Sequence, residues 1–212
     1  MKIAPEGLPF VLPLALAALA SALLVHPWLG LALLVPTLFN YWFFRDPERS
    51  TPEDPDLVIS PADGKIILAG PRRISIFMNV FNVHVCRTPI DGTVDEISHT
   101  PGSFFAASRD EASEQNERVS LLVRAGSREM RFILVAGLIA RRIVCRVGPG
   151  DCLRAGERVG LIRFGSRVDV DLPDDAEILV VSGQKVVAGE TAIARLASAG
   201  DPAQDRAQAR GA

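Results

Sequence analysis

Hydrophobic and polar positions divide the chain into an apolar N-terminal segment and a longer segment of short alternating runs. Residues 7–44 contain no Asp, Glu, Lys or Arg, and His26-Pro27 splits them into two apolar stretches, residues 8–25 and 28–44. Each stretch approaches the roughly 20 apolar residues that cross a bilayer as a helix. A proline at the break favours a tight turn. The pattern predicts a membrane-associated hydrophobic α-hairpin over residues 1–45.

The charges that flank this segment predict its orientation. Lys2 precedes the first stretch, and Arg45 and Arg49 follow the second, so the positive-inside rule places both ends in the cytoplasm. A cleavable signal peptide is an alternative, because Lys2, the apolar run and the small residues 20–22 fit that pattern too. The second stretch would then act as a stop-transfer segment. A monotopic hairpin is also compatible with the prolines inside both stretches.

From residue 57 onward, the apolar positions occur in short runs separated by Gly, Pro and Asp. These runs are too short and too rich in β-branched residues for helices. The sequence therefore predicts a mainly β domain, a compact β-barrel or sandwich, over residues 46–197. The predicted strands are residues 57–60, 65–68, 74–77, 83–87, 93–97, 118–123, 131–135, 142–147, 157–162, 168–172 and 177–181.

Three further patterns refine this picture. Residues 104–114 are consistent with a short helix or a loop, and the polar tail 198–212 lacks apolar periodicity, which predicts disorder. Residues 150–159 and 183–192 each follow the order strand, glycine turn, strand. Such turns are typical of lipoyl- and biotinyl-type β-sandwich domains, where glycine supplies a positive φ at the corners. The repeat predicts lipoyl-like barrel-sandwich features.

Composition and charge narrow the classes of function. The chain has 23 basic and 25 acidic side chains and a formal charge of −2, so non-specific binding of nucleic acid is not expected. The cysteines, Cys86, Cys145 and Cys152, are odd in number and have no CxxC spacing. This argues against a disulfide framework and a zinc site, and favours reduced thiols that face the cytosol.

The candidate chemistry lies in the sequence Arg-Phe-Gly-Ser-Arg-Val-Asp-Val at residues 163–170. A serine hydroxyl can attack the carbonyl of the preceding residue if the backbone bends toward it, and Gly165 removes the steric barrier. A Gly-Ser pair alone is usually an ordinary turn. In this context, however, it resembles the processing site of the short-form phosphatidylserine decarboxylase proenzymes.

Other elements of that family occur in the expected order, and the resemblance covers roughly residues 40–196. They are Phe-Arg-Asp-Pro at 44–47, Ser-Pro-Ala-Asp-Gly at 60–64, Asn-Val-His-Val at 82–85, Pro-Ile-Asp-Gly at 89–92, Asn-Glu-Arg-Val at 116–119 and Val-Ala-Gly-Leu-Ile-Ala at 135–140. The conjunction of these motifs is far more specific than any one of them.

The resemblance implies a pyruvoyl-dependent enzyme of phospholipid biosynthesis. The chain would cleave itself between Gly165 and Ser166, and Ser166 would become a covalent pyruvoyl cofactor. The fragments 1–165 and 166–212 would stay associated. A Schiff base between the pyruvoyl group and phosphatidylserine would release carbon dioxide and yield phosphatidylethanolamine. Neither pyridoxal phosphate nor a metal ion is expected.

The resemblance also implies a catalytic constellation of Asp63, His84 and Ser166. A hydroxyl nucleophile needs a nearby base, and a carboxylate can hold an imidazole in the required tautomer. Long-form relatives carry a second histidine in the position of Arg87, and arginine cannot accept a proton. Either His84 serves both self-processing and turnover, or self-processing depends mainly on strain and Asp63.

A lipid substrate gives the hairpin a purpose, because it holds the enzyme at the cytoplasmic face of the cell membrane. Phosphatidylserine and membrane lipid are the expected partners, and homo-oligomerisation is left open. Arg45, Arg49 and the pairs 72–73 and 141–142 are candidates for contacting anionic lipid.

Two other functions are alternatives to this interpretation. One is a serine hydrolase that uses the same three residues but lacks a Gly-x-Ser-x-Gly elbow. The other is a non-enzymatic, membrane-anchored adaptor or carrier.

Overall fold

Two antiparallel helices form a hairpin at the N-terminus of the structure, a computed structural model that describes residues 2–102, 116–126, 128–137, 142–163 and 166–197. A 3-10 turn, Pro5–Gly7, leads into α1, Leu8–Leu24, and α2 follows as Pro27–Phe43. Most leucines on both helices are exposed. The segment Pro5–Leu24, 20 residues with a mean hydropathy of 2.1, is long and apolar enough to cross a membrane.

Small residues let the two helices pack closely. A Cβ atom added to Gly30 would lie 2.4 Å from the Cβ atom of Ala22 and 2.7 Å from the carbonyl oxygen of Ala18. Both helices continue through an internal proline, Pro13 in α1 and Pro36 in α2. The predicted hydrophobic hairpin is therefore confirmed, and its prolines do not end either helix.

The two ends of the hairpin meet on the same side, against the rest of the protein. Strand β1, Lys2–Ile3, pairs with β2, Arg45–Asp46, in an antiparallel ladder. Above this ladder lies a small apolar core, which we call the junction cluster. Its buried members are Ala4, Phe43, Phe44, Val83, Val85 and Leu161, and Ile3, Phe10, Val80 and Val144 pack against them.

The remaining described residues form a mainly β domain, as predicted. Within these residues, one eight-stranded sheet has the order β11-β7-β8-β9-β13-β5-β4-β15, and two three-stranded sheets have the orders β10-β12-β6 and β14-β16-β3. The strands are β3 Leu57–Ile59, β4 Gly64–Gly70, β5 Arg73–Met78, β6 Val85–Arg87, β7 Gly92–Thr100, β8 Arg118–Ala125, β9 Arg128–Ala136, β10 Ile143–Cys145, β11 Cys152–Leu153, β12 Arg158–Ile162, β13 Ser166–Asp171, β14 Glu177–Ile178, β15 Lys185–Val186 and β16 Ala192–Arg195.

The strand orders have an internal symmetry that explains the repeated glycine turns. On one side of the central β9–β13 pair the order is β8, β7, β11, and on the other side it is β5, β4, β15. The repeated segments supply the two edge strands, β11 and β15. Their glycines adopt matching conformations, with φ of 93° at Gly150 and Gly183, 78° at Gly156 and 76° at Gly189. The predicted barrel-sandwich features therefore reflect two similar halves.

The main core lies on one face of the eight-stranded sheet. In β13, Ser166 alternates with Arg167, so that Ser166 shares the face of Val168 and Val170, both of which belong to the main core. This strand begins two residues before the predicted strand 168–172. The strands β1, β2 and β16 were not predicted, whereas β11 and β15 lie in the segments that were predicted as strand, glycine turn, strand. The predicted helix or loop at 104–114 and the predicted disordered tail lie outside the described residues.

Candidate active site

Two connections cross between the large sheet and the β10-β12-β6 sheet, and their described ends lie side by side. One leaves β5 at Met78 and enters β6 at Val85, and the other leaves β12 at Ile162 and enters β13 at Ser166. Ser166 pairs with Met78 at the start of this crossing, and the backbone NH of Ile162 donates to the carbonyl oxygen of His84 at 3.2 Å. The crossing therefore places Ser166 and His84 on neighbouring segments.

Ser166 is fully buried at the first position of β13. Its Oγ donates a hydrogen bond to Sδ of Met78 at 3.3 Å. A thioether is a weak acceptor, so the hydroxyl is only loosely held in this position. On the other side, Ser166 pairs with Ala136 of β9, whose carbonyl oxygen accepts from Nδ2 of the buried Asn116 at 2.7 Å. The preceding residues, 164 and 165, lie outside the described residues.

His84 is a buried histidine that packs against the C-terminal end of α2. Its ring centroid lies 4.3 Å from that of Phe43, the last residue of α2. Its Nδ1 lies 2.9 Å from the carbonyl oxygen of Asn82. Because a carbonyl oxygen can only accept, Nδ1 carries the hydrogen and Nε2 carries the lone pair.

The same environment keeps the imidazole neutral. The pKa of His84 is lowered from 6.5 to about 4: burial is the main cause, the hydrogen bond to Asn82 opposes it, and the positive charge of Arg45 adds to it. At neutral pH the ring is therefore an uncharged base. A buried neutral histidine can accept a proton from a hydroxyl that is brought to its Nε2.

Asp63 lies on the other flank of β5. It precedes Gly64, whose strand β4 pairs with β5, so Asp63 and Ser166 are separated by roughly two strand spacings, about 10 Å. The carboxylate of Asp63 accepts two hydrogen bonds from Arg49, both at 3.1 Å, and one from the backbone NH of Ala188 at 2.8 Å. Its contacts within the described residues thus order the joint after the hairpin, and none of them is to His84 or Ser166.

Arg87, in the position of the second histidine of long-form relatives, has a structural role. Its guanidinium donates to the carbonyl oxygens of Gly156 at 2.7 Å and Pro47 at 2.9 Å, and it lies 3.6 Å from a carboxylate oxygen of Asp46. These contacts fasten residues 46–47 to the β domain. Arg87 therefore stabilises the contact between residues 46–47 and the β domain. The buried imidazole at the crossing is that of His84.

Sequence reasoning did not single out three residues that shape this site. Met78 accepts from Ser166, Phe43 stacks on His84, and Arg49 binds Asp63. Met78 has a sequence signal, because it follows the predicted strand 74–77 in phase with the apolar positions Ile74 and Ile76. The other two are long-range contacts without a local signal. Arg49 was instead predicted as a candidate for contacting lipid.

The cysteines and acidic residues show no metal centre in the part of the chain that the structure describes. No group of three or more His, Cys, Asp or Glu side chains there is placed to hold a metal ion. The three cysteines all lie in the described ranges and are free. Burial raises the pKa of the Cys86 thiol to about 12, which leaves it a neutral thiol close to the site.

Fold and site together define a mainly β protein with an apolar helical hairpin and a buried Ser-His crossing at the foot of that hairpin. A family scan matches phosphatidylserine decarboxylase over residues 37–73 and 67–194. The chain therefore belongs to the phosphatidylserine decarboxylase family, as the sequence motifs predicted.

Curated relatives agree with this assignment over nearly their whole length, and all three are named phosphatidylserine decarboxylase proenzyme. The protein of Syntrophus aciditrophicus (strain SB) is 50% identical over 202 residues, covering 89% of this chain and 95% of the relative. That of Desulfotalea psychrophila (strain LSv54 / DSM 12343) is 48% identical over 208 residues, covering 92% and 97%. That of Paramagnetospirillum magneticum (strain ATCC 700264 / AMB-1) is 50% identical over 210 residues, covering 91% and 86%.

Proposed function

We propose that this chain decarboxylates phosphatidylserine to phosphatidylethanolamine after cleaving itself between Gly165 and Ser166. The observation that carries the proposal is the environment of Ser166. This buried serine is the first residue of a strand and directly follows a glycine, and its hydroxyl donates to the thioether sulfur of Met78. The family and the printed names of the relatives support the overall reaction. They also favour it over a serine hydrolase and over a non-enzymatic adaptor.

Self-processing is proposed to begin with Ser166 Oγ. Attack on the Gly165 carbonyl forms an ester bond and breaks the amide bond, so that the Ser166 nitrogen becomes a free amine. Loss of the α-proton and departure of the Gly165 carboxylate from Cβ then separates fragments 1–165 and 166–212. Hydrolysis of the resulting dehydroalanine releases ammonia and leaves a pyruvoyl group at the head of the second fragment.

His84 is the proposed proton acceptor for this attack. Its Nδ1–H is directed at the carbonyl oxygen of Asn82, so the basic lone pair is on Nε2. Because the ring is neutral at physiological pH, it needs no prior deprotonation before it can take the hydroxyl proton. Asp63 remains a proposed member of the site, as a positioning residue that binds Arg49 and the backbone NH of Ala188.

The surroundings of Ser166 suit a pyruvoyl group. The side chain lies within a buried, largely apolar enclosure formed by Met78 and Ala136, and Asn116 is buried behind Ala136. When present, the pyruvoyl carbonyl supplies an acceptor for the electrons that are released with carbon dioxide. Burial excludes the water that would compete for a reactive carbonyl. His84 is the proposed group that returns a proton during turnover.

The hairpin is proposed to hold this site at the cytoplasmic face of the cell membrane. The β1–β2 ladder places both ends of the hairpin on one side, with the β domain. Each helix has 17 residues and is about 26 Å long, close to the thickness of the bilayer's apolar core. The acyl chains of the lipid can therefore stay in the bilayer while its head group reaches the crossing.

Denaturing electrophoresis with intact-mass analysis tests the proposal. Purified wild-type protein in detergent should yield fragments 1–165 and 166–212, and the smaller should carry a blocked N-terminus that reacts with carbonyl reagents. Ser166→Ala should stay whole. Ser120→Ala, which alters a half-buried serine of the same sheet, is the matched control and should be cleaved like the wild type. A folded wild-type chain that remains uncut, or a fragment without a carbonyl, refutes the mechanism.

A further inference from the structure

Three of the arginines that were predicted as candidates for contacting lipid have partners inside the protein. Arg45 lies over the ring of Trp42 at 3.9 Å and donates to the carbonyl oxygen of Phe81 at 2.7 Å. Arg49 is committed to Asp63. The exposed Arg72 pairs with Asp174. Arg72 directly precedes β5, and Met78 is at the other end of that strand. Because these three guanidinium groups already have partners, we do not assign the lipid phosphate to any of them.

Arg163 differs from them. It follows β12 and precedes Ser166 by three residues, and its guanidinium carbon lies 5.1 Å from the ring centroid of Phe10 in α1. Its Nε is buried, and this atom has no hydrogen-bond partner among the residues that the structure describes. A buried guanidinium donor without an acceptor is costly, and a bound anion would satisfy it.

The charges around Arg163 also favour the binding of an anion. Glu6, a carboxylate whose charge acts on Arg163, is held in a bidentate contact by Arg146, with Nε of Arg146 donating at 2.8 Å. Arg142 lies close enough for its positive charge to disfavour a second charge on Arg163. Glu6 therefore neutralises Arg146, and among the described side chains whose charges act on Arg163 this leaves the positive charge of Arg142 without a matching carboxylate. A guanidinium fork suits a phosphate in both charge and geometry.

The position of Arg163 fits a lipid phosphate in particular. Phe10 belongs to the first turns of α1 and stacks on Phe44 at a centroid distance of 5.6 Å, so Arg163 lies where the apolar hairpin meets the β domain. With the hairpin in a bilayer, this is the level of the phospholipid head groups. The Cα atoms of Arg163 and Ser166 are at most about 10 Å apart, since three residues of extended chain span no more.

We propose that Arg163 binds the phosphodiester of the phospholipid whose serine head group reaches Ser166. This inference rests on the proposed function and adds a specific site to it. Phe10 supports the guanidinium from the hairpin side, and the phosphodiester would supply the acceptor that the buried Nε lacks among the described residues. The arrangement would hold the phosphate at the membrane surface while the amine and carboxylate extend toward the crossing.

Equilibrium binding to the uncut Ser166→Ala chain in detergent tests the inference without requiring the pyruvoyl chemistry. The probes are dihexanoyl phosphatidylserine and an analogue in which a neutral succinyl ester linkage replaces the phosphodiester. Arg163→Met keeps an unbranched side chain over Phe10 but removes the charge, and Arg163→Lys restores the charge without the fork. Arg72→Met is the matched control, because it removes an exposed arginine remote from Ser166.

Arg163→Met should weaken binding of the phospholipid by about 10- to 100-fold and leave binding of the neutral analogue within about twofold. Arg163→Lys should recover part of the loss, and Arg72→Met should bind like the parent. Equal weakening of both probes would show a merely structural role, and unchanged phospholipid binding would show no role; either result overturns the inference. A wild-type chain that never cleaves would refute the proposed function but not this binding site.

Discussion

Acidification should charge His84 only near pH 4, and that charge should destabilise the fold. The ring is buried against Phe43, and its pKa falls from 6.5 in the unfolded chain to about 4 in the native protein. Between these two values the unfolded chain binds more protons than the folded one. Stability contributed by the neutral ring is therefore complete above the unfolded pKa and is lost as the pH falls toward 4.

The size of the effect follows from the shift. A difference of 2.5 pKa units between 6.5 and about 4 corresponds to about 3 kcal/mol in total. Linkage places about 2 kcal/mol of that loss between pH 7 and pH 5, where most carboxylates are still ionised. The effect is large compared with the 5 to 15 kcal/mol that typically separates folded from unfolded domains.

Two measurements on the uncut Ser166→Ala chain in detergent check this prediction. NMR of protein labelled with carbon-13 at histidine should show one ring that titrates near pH 4, and His84→Gln should remove that signal and so assign it. Urea unfolding at pH 7 and pH 5 should show a loss for the parent that exceeds the loss for His84→Gln by about 2 kcal/mol. A titration midpoint for His84 at 6.5 or above, or equal losses in the two chains, would show that burial does not keep the ring neutral.

Two other substitutions test the packing around the site. Gly30→Leu should separate the helices of the hairpin and lower the free energy of unfolding by about 1 to 3 kcal/mol, because its Cβ atom would lie 2.4 Å from that of Ala22. Thermal unfolding in detergent measures this loss, and Leu31→Ala, at an exposed position of the same helix, is the comparison. Arg49→Met should cost about 3 kcal/mol in urea unfolding, since it leaves the largely buried carboxylate of Asp63 without its charged partner. Arg72→Met breaks a solvent-exposed pair and should cost less than about 1 kcal/mol, and similar costs for the two arginines would contradict this account.

The hairpin and most longer strands were predictable because their signals are local. An uncharged run and an alternation of apolar residues can be recognised without knowing what packs against them. The two-residue strands are different. Lys2–Ile3 and Arg45–Asp46 pair only because the hairpin brings its two ends together, and Cys152–Leu153 and Lys185–Val186 pair at sheet edges that are set by distant segments. The repeated glycine turns indicated a strand near each of the last two segments, but no local signal gave their bounds or their partners.

The start of β13 was missed for a different physical reason. Arg167 and Asp169 are both buried on the face opposite the main core, where Nε of Arg167 donates to Asp169 at 2.6 Å and its terminal nitrogen donates to Ser75 at 2.8 Å. These charged residues compensate one another inside the protein, although their sequence resembles a solvent-exposed segment. Because of this polar pattern, the sequence did not predict that the strand begins at Ser166.

Motif resemblance predicted Ser166, His84 and Asp63 as site residues, but it did not show that the apolar hairpin packs against His84. Phe43 is the last residue of α2, a member of the junction cluster and the ring that packs on His84. The Arg45 charge, which helps to lower the pKa of His84, directly follows the hairpin as well. Any rotation of the hairpin against the β domain would therefore change the environment of the imidazole. The hairpin is a structural part of the site, and its sequence alone predicted only an attachment to lipid.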